Sequence, residues 1–117
     1  MAKINRFEEL IIWQKAQDLA VKIYTGYENC RDYGFRKQIC NAAVSVSNNV
    51  SEGFDRGSKA QFAQFLDYAK GSCGEVKSMT YLAKRLNYID EIQSNEVLAL
   101  CEELSRMIFT LTQGLRK

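Results

Sequence analysis

Apolar residues return every three or four positions along most of this chain. The first series is Phe7, Leu10, Trp13, Ala16, Ala20, Ile23 and Tyr27, and Ile11, Ile12 and Leu19 widen it. The second is Phe35, Ile39, Ala42, Val46, Asn49 and Gly53, and the third is Phe65, Ala69, Ser72, Val76, Met79, Ala83 and Leu86. Val97, Cys101, Leu104, Ile108, Leu111 and Leu115 form the cleanest heptad. This is the period of one helical face, and the last series is a bundle seam. The pattern predicts four helices over about 7–27, 35–53, 58–87 and 92–115. Ser58 followed by Gln61 has the form of a capping box at the start of the third. The β-branched run from Val44 to Val50 alternates with Ser and Asn as a strand would, but the helical period on both sides outweighs it. Short connections make neighbouring helices antiparallel. The expected fold is all-α: one up-down-up-down antiparallel four-helix bundle spanning residues 1–117.

Composition narrows the chemistry. With 46% hydrophobic and 26% charged residues the chain can bury a core and keep a polar surface. No apolar run approaches the ~20 residues that span a membrane, and the N-terminal stretch has no signal-peptide core. A cytoplasmic protein without a membrane partner is the expectation. The sequence contains no histidine, so the usual general base and the Ser-His and Cys-His pairs are missing. Cys30, Cys40, Cys73 and Cys101 include no Cys-x-x-Cys pair. They read as reduced, mostly buried thiols rather than a zinc site. Cys40 and Cys73 are expected near one level on facing helices. No catalytic residue, cofactor or metal ligand is expected.

Three motifs carry a family resemblance. They are "FEELIIWQKA" (7–16), "AAVSVSNNVSEG" (42–53) and "FAQFLDYAKGSCGEV" (62–76). In this order they resemble the bacterial four-helix-bundle family whose founding members are encoded in intervening sequences of 23S ribosomal RNA genes. The family's Asn-Ile-Ala-Glu-Gly appears as Asn49-Val50-Ser51-Glu52-Gly53. Its Phe-Leu-x-x-Ala-x-Gly-Ser-x-x-Glu appears as Phe65-Leu66, Ala69, Gly71-Ser72 and Glu75. The chain departs from it at Ser47, where many relatives have proline, and at Cys40 and Asn41, where they have basic residues. The resemblance implies an up-down bundle in a ring-shaped homopentamer. It implies no established activity.

Glu52 sits at a helix C-terminus, where free carbonyls disfavour an anion. Folding the second helix on the third about Asp55 and Arg56 puts Glu52 level with Lys59, so a clasp across the turn is expected. The same geometry puts Glu75 level with Arg36. Gly71 and Gly74, mid-helix, each cost ~1 kcal/mol relative to alanine, and a close helix contact, within the bundle or between subunits, is the expected compensation.

Leu10, Ile11, Ile12 and Trp13 put apolar groups on too many faces of one helix, which points to burial against another copy of the chain. Basic residues gather at both ends of the bundle. One end has Arg31, Arg36, Lys37, Lys84 and Arg85; the other has Arg56, Lys59, Arg116 and Lys117, with Lys3 and Arg6 beyond. The function expected from these features is a non-catalytic, self-associating scaffold or adaptor, with another protein as a further partner. The alternative is RNA or DNA binding on the basic rims of a ring.

Overall fold

The computed structural model describes residues 3–117. The expected domain begins at residue 1, and residues 1–2 lie outside the described residues. A short 3₁₀ turn, Phe7–Glu9, precedes four helices: α1 (Ile11–Gly26), α2 (Tyr33–Asp55), α3 (Lys59–Arg85) and α4 (Glu91–Leu115). They form an up-down-up-down bundle of 45 × 22 × 20 Å. The α2–α3 and α3–α4 seams are the most extensive, and the α1–α4 seam is the least. α1 and α3 stand diagonally across the bundle. No helix among the described residues is long and apolar enough to cross a membrane.

Local chemistry sets each boundary. The first helix starts later than its periodicity predicts. The Glu9 carboxylate accepts from the N–H groups of Asn5 and Arg6, at 3.3 and 3.1 Å, and closes the 3₁₀ turn. Leu10 is then extended, with φ −73° and ψ 125°, and α1 begins after it. The second helix starts earlier, because Asp32 caps it by accepting from Phe35 N–H at 3.1 Å. The Phe35 N–H, and after it the Tyr88 hydroxyl at 2.8 Å, hold the Asp32 carboxyl below its ordinary pKa. The Val44–Val50 run is helical throughout. Ser58 caps α3 through Gln61 N–H at 3.1 Å, but the Gln61 side chain accepts from the Ser58 hydroxyl instead of closing the box. Asn87 ends α3 in the left-handed region at φ 61°, where Asn is tolerated. Tyr88 N–H donates to Ala83 C=O and Asn87 N–H to Lys84 C=O, which terminates the helix in a Schellman motif. Asp90 and Gln93 form a full capping box on α4.

The core runs the length of the bundle. Ile12, Ala16, Leu19 and Ile23 come from α1, and Ile39, Ala43, Val46 and Val50 from α2. Leu66, Ala69, Cys73 and Val76 come from α3, and Val97, Cys101, Leu104 and Ile108 from α4. Two glycines shape the α2–α3 hairpin. Gly57, at φ 88°, turns the chain where an L side chain is strained. Gly53 is buried, and a Cβ there would lie 2.5 Å from Phe65 Cβ and 3.2 Å from Phe62 Cδ1. Phe65 Cβ is fixed to the α3 backbone, so it cannot swing aside cheaply.

Gly53→Ala should therefore destabilise the protein by about 1–3 kcal/mol. Gly114→Ala, where nothing lies within 4 Å, should be no worse than neutral. Urea midpoints with unchanged slopes would show both effects. Equal midpoints for the two variants would count against the close approach at Gly53.

Candidate functional site

Two of the three family-like motifs, 42–53 and 62–76, meet along the α2–α3 seam. Asn49 Nδ2 donates to the Ser45 carbonyl at 2.8 Å and to Ser45 Oγ at 2.9 Å. Ser45 Oγ in turn lies 2.9 Å from Ser72 Oγ on α3. Asn49 and Ser72 are thus joined through Ser45, which sequence reasoning passed over. Its position one turn before Asn49 was the available signal. Ser47 is buried and accepts from Gln17 Nε2 of α1 at 3.0 Å.

Glu52 forms a clasp, but with a different cation from the one expected. It pairs with Arg56, one turn on, at 2.9 Å, and not with Lys59. The Arg56 guanidinium also lies 4.9 Å from the centre of the Phe65 ring on α3. The chain Glu52–Arg56–Phe65 therefore crosses the turn by an ion pair and a cation–π contact. Glu75 likewise does not reach Arg36; it accepts from Gln38 Nε2 at 3.4 Å. One cause explains both corrections. The hairpin pivots at Gly57 instead of at Asp55 and Arg56, so α2 residues meet α3 farther along. The glycine expectation also fails inside the subunit: nothing lies within 4 Å of a Cβ at Gly71 or Gly74. The close approach belongs to Gly53.

Of the four apolar residues assigned to an interface, Ile12 is buried in the core of its own subunit. Leu10 and Trp13 pack half-buried against that core, and Trp13 meets Phe7 edge-on at 5.3 Å. Only Ile11 faces outward, 54% exposed. The 3₁₀ turn accounts for this, because it folds the segment before α1 back over Trp13. Larger uncovered apolar areas lie elsewhere. A run of hollows follows the α1–α4 seam, lined by Val21, Thr25 and Val97, then Ala99 and Leu100, then Met107 and Leu111. On α3, Tyr81 and Leu82 are exposed, as is Leu86 just past its end.

The basic residues divide into tied and free. Arg56 pairs with Glu52, Lys84 with Glu91 at 3.2 Å, and Arg116 with Asp67 at 2.6 Å. Lys15–Glu103 and Lys22–Glu96 stitch α1 to α4, and Lys77–Glu102 stitches α3 to α4. Arg31, Arg36, Lys37, Lys59, Arg85 and Lys117 pair with no carboxylate among the described residues.

The cysteines are free thiols. Cys73 donates to the Cys101 carbonyl of α4 at 3.4 Å and accepts from the Ser105 hydroxyl at 3.7 Å. Its contact with Cys73 and then burial drive the Cys101 thiol far above its ordinary pKa. Burial also raises Cys40, with Arg36 opposing it. Among the described residues no three acidic or thiol side chains gather as a metal-binding set.

A family model described as 23S rRNA-intervening sequence protein matches residues 8–110. No curated protein matches the chain. Among solved structures, a protein of unknown function from the S23 ribosomal protein family of Bacteroides thetaiotaomicron VPI-5482 superposes with a TM-score of 0.83. It is 22% identical, and the alignment covers 87% of this chain and 98% of that one. At that identity the likeness establishes the fold.

Two expectations test the site. Arg56→Ala removes the ion pair and the Phe65 contact together and should lower stability by about 1 kcal/mol, whereas Lys59→Ala should be silent. Thermal melts would reverse this assignment if Lys59→Ala were the damaging change. A thiol reagent should react quickly with Cys30 alone in the folded protein, and with all four cysteines after denaturation. Rapid labelling of Cys73 or Cys101 in folded protein would show that the α3–α4 seam opens.

Proposed function

The chain belongs to the 23S rRNA-intervening sequence protein family, and on that premise we propose that it is a non-catalytic scaffold or adaptor that assembles with copies of itself into a closed ring. The observation that carries this reading is the pair of dissimilar apolar surfaces each subunit leaves uncovered. One is the α1–α4 groove, with Val21 64% exposed at its rim. The other is the outer stripe of α3, with Tyr81 53% and Leu82 46% exposed. A ring of more than two subunits needs two different, mutually fitting surfaces per subunit, whereas a two-fold dimer needs one. Burying a side chain of this size contributes ~1.5–3 kcal/mol. Gly71 and Gly74 lie on α3 with open space before them, and a neighbouring helix approaching there would supply the contact their own subunit does not. The family resemblance makes five the expected number of subunits. Another protein held by such a ring would be the adaptor's partner.

Light scattering on the unmutated protein at micromolar concentration should give a multiple of the 13.4 kDa subunit mass. Val21→Glu and Leu82→Glu should each give small, fully helical particles. Mixing the two should then yield dimers and nothing larger, since one blocked and one intact surface remain on each partner. A single-subunit mass for the unmutated protein, or a mixture that re-forms the full assembly, would overturn the ring.

A further inference from the structure

Beyond scaffolding, the structure assigns a ligand site within one subunit. We propose that the open cleft between the last turns of α1 and the first turns of α2 binds a nucleotide unit, free or within a single strand. The base stacks on Tyr24 and Tyr33, and the phosphate meets Arg36 and Lys37. The cleft holds about 360 Å³ and is lined by Tyr24, Tyr33, Arg36, Lys37, Cys40 and Asn41. That is near the lower end of the ~300–1,000 Å³ range of small-molecule sites.

Three observations converge. First, the two tyrosines are 50% and 71% exposed, although the neighbouring Tyr27 is fully buried. The core therefore does not recruit these rings, and their faces remain open for stacking. Second, the cations are uncompensated. Ion pairs bridge the α1–α4 and α3–α4 seams, but among the described residues none bridges α1 and α2. None of the six lining residues is acidic. The nearest carboxylate in sequence, Asp32, is occupied by Phe35 N–H and the Tyr88 hydroxyl. Third, a second cavity of about 560 Å³ is lined by Arg31 and Asp32, the residues just before Tyr33, together with Asn29 and Asn87. A following nucleotide of a strand would meet Arg31 there.

Aromatic faces with adjacent cations are how proteins hold unpaired bases and their phosphates. Cys40 gives the cleft an apolar floor, and the Asn41 amide offers both a donor and an acceptor to a base edge. Duplex nucleic acid fits poorly, since its base faces are already stacked.

The test is fluorescence anisotropy of a labelled ten-nucleotide uridine strand at low salt, with uridine monophosphate and inorganic phosphate as competitors. Tyr33→Ala should weaken binding about tenfold, and Tyr33→Phe should restore it, because stacking needs the ring and not the hydroxyl. Arg36→Gln and Lys37→Gln should each flatten the salt dependence by about 0.7 in slope. Lys59→Gln and Lys117→Gln, at the far end, should change nothing. If uridine monophosphate competes as well per nucleotide as the strand, the occupant is a free nucleotide; if only strands compete, it is single-stranded nucleic acid. Absence of binding at low salt overturns the site. So does full affinity in Tyr24→Ala and Tyr33→Ala, or equal loss from the far-end lysine variants. Tyr33 lies outside the core, so loss of fold does not confound its variants.

Discussion

The close approach of α2 to α3 at Gly53 governs this bundle. A missing Cβ lets the end of α2 rest on Phe62 and Phe65, and the pivot at Gly57 fixes which turns then face each other. From that register follow the Asn49–Ser45–Ser72 ladder, the Arg56 contact with Phe65 and the pairing of Gln38 with Glu75. Toward the other end α2 and α3 bury small residues as well, Ala42 and Ala43 on α2 and Ala69 on α3. α1 and α4 then pack one on each side of this pair and meet at the least extensive seam.

Elements whose signal is local could be read from the sequence. The α4 heptad, the Ser58 cap and the helicity of Val44–Val50 follow from spacing and capping chemistry alone. What depended on the tertiary pivot could not be read. Lys59 faces Glu52 only if the turn centres on Asp55 and Arg56, and a shift of a residue or two in that centre moves every cross-helix partner. Gly71 and Gly74 stand out by their mid-helix position, yet the glycine that matters sterically within the subunit is Gly53, at the end of α2. The apolar run from Leu10 to Trp13 spreads over several helix faces, and which of its residues the subunit buries depends on the 3₁₀ turn set by Glu9 reaching back to Asn5 and Arg6, a contact that periodicity does not record. The cleft beside Tyr24 and Tyr33 joins two helices, so neither helix's own pattern announces it.

Charge is distributed in the same seam-by-seam way. Ion pairs between half-exposed side chains contribute little individually, ~0–1 kcal/mol each, but they favour one register over its neighbours. Lys15–Glu103 and Lys22–Glu96 do this where α1 meets α4, the least extensive seam. Lys77–Glu102 and Lys84–Glu91 do it along α3–α4. The α1–α2 seam relies on buried apolar residues and the Gln17–Ser47 hydrogen bond. Its surface cations are left with no structural duty.

An even number of antiparallel helices also gives the molecule poles. α1 begins, and α4 ends, at the pole where Glu52 and Arg56 close the α2–α3 turn. The other pole holds the α1–α2 and α3–α4 connections, and the tyrosine-lined cleft lies just below it. Any polypeptide joined to either end of the chain, whether by a gene fusion or by an affinity tag, therefore leaves the bundle at the pole remote from the cleft, at the opposite end of its 45 Å axis.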